Sequence, residues 1–313
     1  MKVINGNLAF AAHGEAPLRL DPSALRSVFC YGDVSVTTAA LESLFRHGIE
    51  TAWLTPGGQR CRGRATRIDP STTLTRIRQH RAFARPEACL DWARQVVIGK
   101  IETQALSARH HQRHGCALAG PVLAQLQQWQ VRSAATATLD ELRGVEGAAS
   151  AQWFRLLGGL LDPPWVFAAR TRRPPTDPVN ALLSLGYTWL LARAVAQAGA
   201  RGYEVYLGGL HDYRPGRVSL ACDLIEPLRV SAVDRWVLAT CNRREMSLDD
   251  FQDVENGGVN LKPNVFGRTL RSWEGHWEQQ RQEAMLDEWL GRLADVIRAW
   301  SPADTEPTAP DDL

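Results

Sequence analysis

The hydrophobic pattern of this chain changes period once, at Asp69-Pro70. Before that point apolar residues come in short alternating runs bounded by Gly, Pro and Asp. "LAFAAHG" and "LRLDP" have the pattern of strands. "SVFCYGDVSVTT" holds two β-branched or aromatic runs about a Gly-Asp turn. "IETAWLTPGGQRCRGRATRI" has a hydrophobic run, a Pro-Gly-Gly turn and a second alternating run, which predicts a hairpin. One short helix is predicted among them in "TTAALESLFRHG", with Leu41, Leu44 and Phe45 apolar and Gly48 as its stop.

After Asp69-Pro70 the period is helical. "LTRIRQHRAFARPEACLDWARQVVIGKIETQALSARHHQRHG" is interrupted only at Pro86. "LAQLQQWQVRSAATATLDELRGVEGAASAQWFRLLGGLL" predicts two further helices. "NALLSLGYTWLLARAVAQAG" predicts a strong helix ended by Gly199, and "QEAMLDEWLGRLADVIRAW" an amphipathic one. The expectation is an α+β chain in two parts. A β-rich front at residues 1–68 is joined by a linker at 69–76 to a larger helical part at 77–300. A Pro- and acid-rich tail at 301–313 is expected to be disordered. The length, 313 residues, suits two domains with a sizeable core, and 44% apolar residues excludes a disordered chain.

Charge is informative in its distribution, not its sum. The net charge is only +2. Between Arg60 and Arg85, however, eight arginines stand against one acid, Asp69. Such a block suits a nucleic-acid backbone, because guanidinium forks match phosphate oxygens. A GC-rich genome, encoding arginine wherever a basic surface is needed, produces the same bias. The six cysteines include no Cys-x-x-Cys pair. No signal peptide opens the chain, and no run of 18 unbroken apolar residues occurs, so no membrane span and a reducing cytoplasm are expected.

Candidate chemistry concentrates in "GGLHDYRPGRVSLACDLIEPLR". Asp223 and Glu226, three residues apart in an apolar helix-like run, project together. Adjacent carboxylates in such a setting repel unless a cation neutralises them. With His211 upstream they form a mixed carboxylate and imidazole set of the kind Mn²⁺ or Mg²⁺ accepts. The alternative is salt bridging to Arg217, Arg229 or Arg235. Glu146, in "RGVEGAASAQWF", stands among Gly144, Gly147, Ala148, Ala149, Ser150 and Ala151. It is either a ligand-accessible acid or a helix-start glutamate with small packing neighbours. "HHQRH" at 110–114 lacks the glutamate a zincin helix needs and reads as a solvated basic face. "RTRRPPTDPVN" is a proline-stiffened loop that either clamps phosphates or connects helices. No Walker loop, dinucleotide fingerprint or nucleophile elbow is present.

Taken in order, "LRSVFCYGDVSVTTAALESLFRHGIETAWLTPGG", "RIRQHRAF", "VEGAASAQWF", "RRPPTDPVNALLSLGYTWLLA", "GGLHDYRPGRVSLACDLIEPLR" and "GRTLRSW" resemble the CRISPR-associated integrase/endonuclease family of the spacer-acquisition complex. That family is the first-numbered protein of those loci, and the resemblance spans residues 3 to 296. It implies an N-terminal β-sandwich-like domain followed by an all-helical catalytic domain. It further implies a homodimer joined to a small ferredoxin-like second adaptation protein in a heterohexamer. The activity implied is metal-dependent insertion of short foreign DNA into the CRISPR array, on double-stranded and branched DNA. Glu146, His211 and Glu226 match the family's Mg²⁺ or Mn²⁺ ligands, and Asp223 an accessory position. Trp153 stands where many relatives have tyrosine, which changes packing and leaves the ligand set intact. Candidates for DNA contact are Arg60, Arg62, Arg64, Arg76, Arg78, Arg170, Arg172, Arg173 and Arg217. The competing classes are an inactive DNA-binding scaffold and a metal-dependent phosphoesterase of small substrates.

Overall fold

The computed structural model describes residues 1–11, 16–58, 60–67, 69–255 and 257–301. The front of the chain forms two three-stranded sheets. Strands β1 (Lys2–Ile4), β2 (Asn7–Phe10) and β3 (Leu18–Leu20) make an antiparallel meander. The second sheet has the order β4 (Ser27–Tyr31), β5 (Glu50–Leu54), β6 (Cys61–Ala65). Strands β5 and β6 are the expected hairpin, whereas β4 runs parallel to β5. A parallel pair needs a crossover, and helix α1 (Thr38–Arg46) supplies it. The second run of "SVFCYGDVSVTT" is therefore not a strand. Gly32, at φ +77, donates its N–H to Leu54 and turns the chain out of the sheet, and Thr37 then caps α1. Gly48, at φ +65, ends α1 as expected.

The front sheets share a small core of Leu8, Val28, Cys30, Ala40, Leu44 and Ile49. On the other face of β5, Ala52 and Leu54 pack on Ala192 of helix α6 (Pro178–Ala200). At the segment expected to be a linker, residues 70–72 form a 3₁₀ turn capped by Asp69, and helix α2 (Thr73–Phe83) starts directly after it. Beyond Ser301 the expected tail lies outside the described residues.

The remainder is helical apart from one hairpin. Helix α3 (Pro86–Arg113), 28 residues long with Pro86 in its first turn, is the spine. Helices α4 (Ala119–Ala135) and α5 (Leu139–Gly159) pack on it. Then come α6, α7 (Ser219–Ile225), α8 (Arg235–Asn242), the hairpin β7 (Phe251–Val254) and β8 (Gly258–Leu261), α9 (Phe266–Gln279) and α10 (Gln282–Trp300). Helix α6 is long and apolar enough to cross a membrane, yet 67% of that window is buried inside the protein, so the core accounts for its composition. It runs one residue past Gly199, and Gly202, at φ +80, makes the exit turn. Gly199 instead leaves room for Arg64, whose Nη1 would lie 3.0 Å from an added Cβ.

Gly99 sets how closely α3 approaches its neighbours. A Cβ there would lie 2.4 Å from the Trp289 ring and 3.5 Å from Pro227. Gly144 on α5 has nothing within 4 Å of its missing Cβ. Gly99→Ala should therefore cost about 1–3 kcal/mol through overpacking. Gly144→Ala should stabilise by up to about 1 kcal/mol through helix propensity. Urea denaturation of the two variants side by side checks this; equal midpoints would contradict the packing assigned to α3.

Candidate active site

Asp223 fixes the geometry where α3, α7 and the loop before α7 meet. Helix α7 ends because Pro227 has no N–H to return to the Asp223 carbonyl, and the Glu226 N–H bonds that carbonyl instead. The Asp223 carboxylate is fully buried. Its Oδ2 accepts from the N–H groups of Gly209 (2.8 Å) and Leu210 (3.0 Å) and from Trp92 Nε1 (3.1 Å). Its Oδ1 accepts from the His211 N–H (3.0 Å) and lies 2.7 Å from His211 Nδ1. The loop reaches this carboxylate because residues 208 and 209 are glycines. An added Cβ at Gly208 would lie 2.8 Å from Asp223 Oδ2, and one at Gly209 2.8 Å from Trp92.

An ionised carboxylate only accepts, so Nδ1 of His211 carries the hydrogen and Nε2 keeps its lone pair. Nε2 faces Glu226, whose Oε1 is 4.0 Å away. Glu226 is itself buried between two cations. Its Oε1 is 2.8 Å from Arg229 Nη2, and its Oε2 is 2.7 Å from Lys100 Nζ. Burial pushes the Glu226 pKa up, but the attraction of Arg229 and Lys100, with that of His211 in its imidazolium form, outweighs it and brings the group down to about 2. Arg229 in turn stacks on the Tyr187 ring, 4.9 Å from its centroid. Tyr187 and Trp153 both donate to Asp234, a buried acid that desolvation raises to about 6 against those two bonds. Trp153 is thus a hydrogen-bond donor to a buried acid as well as a packing residue.

Glu146 reaches the same point from α5. Its Oε1 accepts from Ser150 (3.0 Å) and pairs closely with Lys100. The small residues around it create open space, since a Cβ added at either Gly144 or Gly147 would meet nothing within 4 Å. Glu146 and His211 line a cavity of about 220 Å³ with Arg143, Leu210, Asp212, Arg214 and Arg217. Arg143 braces it, donating to the Leu210 carbonyl (2.8 and 3.1 Å) and to Asp212 (2.5 Å).

The fold thus brings Glu146, His211 and Glu226 together and puts Asp223 behind His211. Of the three arginines considered as salt-bridge partners for the acid pair, Arg229 takes Glu226. Arg217 bonds the Asp212 carbonyl and Ser219, and Arg235 bonds Gln280. Among the DNA-contact candidates, Arg217 lines the cavity. Arg60, Arg62 and Arg64 lie at or on β6, with Arg62 paired to Asp33, and Arg76 and Arg78 lie on α2. Arg172 and Arg173 are exposed beside a separate groove that Arg170 and Arg229 also line. Arg170 holds its own loop, donating to Asn180 (2.9 Å) and Ser184 (2.9 Å). His110, His111 and His114 sit at the end of α3, away from these acids.

Sequence reasoning missed Lys100, Arg143 and Arg214. Arg143 is one helical turn before Glu146 and shares its face. Lys100 was signalled by rarity: it is one of three lysines, set in the apolar run "VVIGKI".

The donors fit a divalent cation in kind: two carboxylates and an imidazole whose second nitrogen is held by an acid. One oxygen of the set, Glu226 Oε2, is buried without an aligned hydrogen bond, its contact to Lys100 being an ion pair. Among the described residues no three acid, His or Cys side chains are already closed into a metal cage; the Lys100 ammonium stands between the two glutamates.

Residues 1–275 match the model of a protein family described as CRISPR associated protein Cas1. The chain belongs to the Cas1 family. A relative from Thermus thermophilus, a CRISPR-associated endonuclease Cas1, is 34% identical over 263 residues, covering 84% of this chain and 76% of its own. Three solved structures share the fold. A Cas1 protein from Thermotoga maritima has a TM-score of 0.79 at 18% identity, covering 97% and 94% of the two chains. A casposase bound to integration product has a TM-score of 0.74 at 20% identity, covering 99% and 91%. A chain of a Cas6-RT-Cas1–Cas2 complex has 0.73 at 23%, covering 96% of this chain and 35% of that one.

Glu226 and Asp234 predict opposite pH slopes. Glu226 is depressed to about 2, so its contribution is present above its unfolded value of 4.5 and is lost as pH falls towards 2. Asp234 is raised from 3.8 to about 6, so the stability linked to it is present below 3.8 and lost as pH rises through 6. Relative to wild type, Glu226→Gln should lose the rise between about pH 2 and 4.5, and Asp234→Asn should lose the decline between about pH 4 and 6. Urea unfolding across this range reads both; parallel curves for all three proteins would contradict these environments.

Proposed function

We propose that this chain is a divalent-metal-dependent DNA nuclease and integrase of CRISPR adaptation, inserting short foreign DNA into the CRISPR array by attack of a 3′-hydroxyl on a phosphodiester. The observation that carries the reading is the convergence of Glu146 and His211, which line an arginine-bordered cavity, with the buried Glu226, which shares Lys100 with Glu146 and faces Nε2 of His211. Glu146 and Glu226 would hold Mg²⁺ or Mn²⁺ through oxygen, and His211 through Nε2. The ion, when bound, lowers the pKa of the attacking hydroxyl and stabilises charge on the phosphorane-like transition state.

The chain's own groups do the rest. Asp223 keeps the His211 ring in one tautomer and one orientation. Arg143, Arg214 and Arg217 draw a phosphate towards the acids, and the bare α5 surface at Gly144 and Gly147 leaves room for a DNA strand. With water in place of the hydroxyl, the same groups would nick DNA. The unobstructed α5 surface beside the cavity favours a polymer over a small phosphoester.

The casposase on its integration product and the Cas1–Cas2 complex are relatives by fold, and with the family membership they support the same assembly here. We read the working form as a cytoplasmic homodimer joined to a Cas2-type partner and to double-stranded or branched DNA.

Rejoining of a branched DNA substrate in Mn²⁺ tests the chemistry. Wild type should rejoin it, and Glu226→Ala, or wild type with EDTA, should lose about a hundredfold or more. Equal rates in all three would remove the metal and Glu226 from the reaction. Binding without rejoining by wild type would favour the inactive scaffold. Duplex affinity should also fall steeply between low and moderate salt as phosphate counterions are released.

A further inference from the structure

Lys100 is an unusual lysine. It is 4% exposed, lies between the buried Val97 and Ile101 on α3, and follows Gly99, which lets α3 press against Pro227. A buried ammonium is costly unless it is paired. Its partners are Glu146, from α5, and Glu226, from the turn after α7. Arg229 pairs directly with Glu226 and feels Glu146 only at longer range, so among the described residues Lys100 is the cation ion-paired with both acids. The Asp223 carboxylate has its own donors in the loop backbone, Trp92 and His211. Lys100 on α3 therefore holds together two carboxylates that come from different elements.

We propose that Lys100 is the resident counter-cation of this site: it draws Glu146 and Glu226 together and competes with a divalent ion for them, so that metal binding is an exchange of cations. This rests on the metal reading above. The competition follows from electrostatics: the two carboxylates that would hold the ion are those the ammonium already neutralises. A divalent ion must release the ammonium from at least one of them. Binding is then weaker than the same donors would give without the lysine, and the apo site is held in shape.

Mn²⁺ titration of the full chain without DNA, with free Mn²⁺ read by electron paramagnetic resonance, tests this on wild type, Lys100→Met, Lys100→Arg and Glu226→Ala. Lys100→Met should bind Mn²⁺ about tenfold more tightly or better. Lys100→Arg should return towards wild type. Without metal, Lys100→Met should melt below wild type, and Mn²⁺ should raise its melting temperature by more. Lys100→Gln serves if the methionine variant does not fold, with the same tightening expected. Folded Lys100→Met and Lys100→Gln that bind Mn²⁺ no more tightly than wild type would overturn the proposal. Wild type with no Glu226-dependent Mn²⁺ site would overturn the metal reading itself, and this inference with it.

Discussion

A single buried carboxylate, Asp223, ties together the parts of the chain on which the candidate site depends. It gathers three consecutive backbone N–H groups from the 209–211 loop, an indole N–H from α3 and the imidazole of His211. A buried acid is tolerated only with such compensation, since stripping its hydration without replacing it costs several kcal/mol. The requirement therefore runs both ways. The loop needs the carboxylate to satisfy its N–H groups, and the carboxylate needs the loop. His211 is placed by this mutual dependence, with Nδ1 engaged and Nε2 directed to Glu226.

The buried tryptophans belong to the same logic. Trp92 and Trp153 each bring a large apolar ring into the core and one N–H that finds an acceptor there. Trp92 gives its N–H to Asp223 and Trp153 to Asp234, so two of the fully buried indoles are also donors to buried acids. From Asp234 the polar chain continues through Tyr187 to the Arg229 guanidinium stacked on its ring, and from Arg229 to Glu226. The buried Glu226 carboxylate is thus backed by groups that are themselves packed, which limits how far it can move.

Much of this was legible in the residues. The single change of hydrophobic period separates the sheets from the helices because alternation and a 3.6-residue repeat bury different faces. The acid pair and the histidine were visible as polar groups in an apolar run. The parallel β4–β5 pair was not, because a Gly-Asp step after a strand signals a hairpin locally, and only the distant pairing of Gly32 with Leu54 shows otherwise. Spacing alone puts Asp223 and Glu226 on one helical face. The break at Pro227 instead gives the two acids different partners, one behind His211 and one beside it. Lys100 was missed because a lysine on a helix reads as solvated until another element is known to cover it.

The arginines form two groups, one dense along the chain and one assembled in space. The dense block from Arg60 to Arg85 lies mainly on β6 and α2, and part of it is used within the fold: Arg62 pairs with Asp33, and Arg64 reaches α6 at Val195 and Gly199. The arginines beside the acids, Arg143, Arg214 and Arg217, come from α5 and the loop before α7. Clustering along the chain and clustering in space are set by different things. A strand places alternate residues side by side on one face of a surface, whereas a cavity draws residues from each element that borders it.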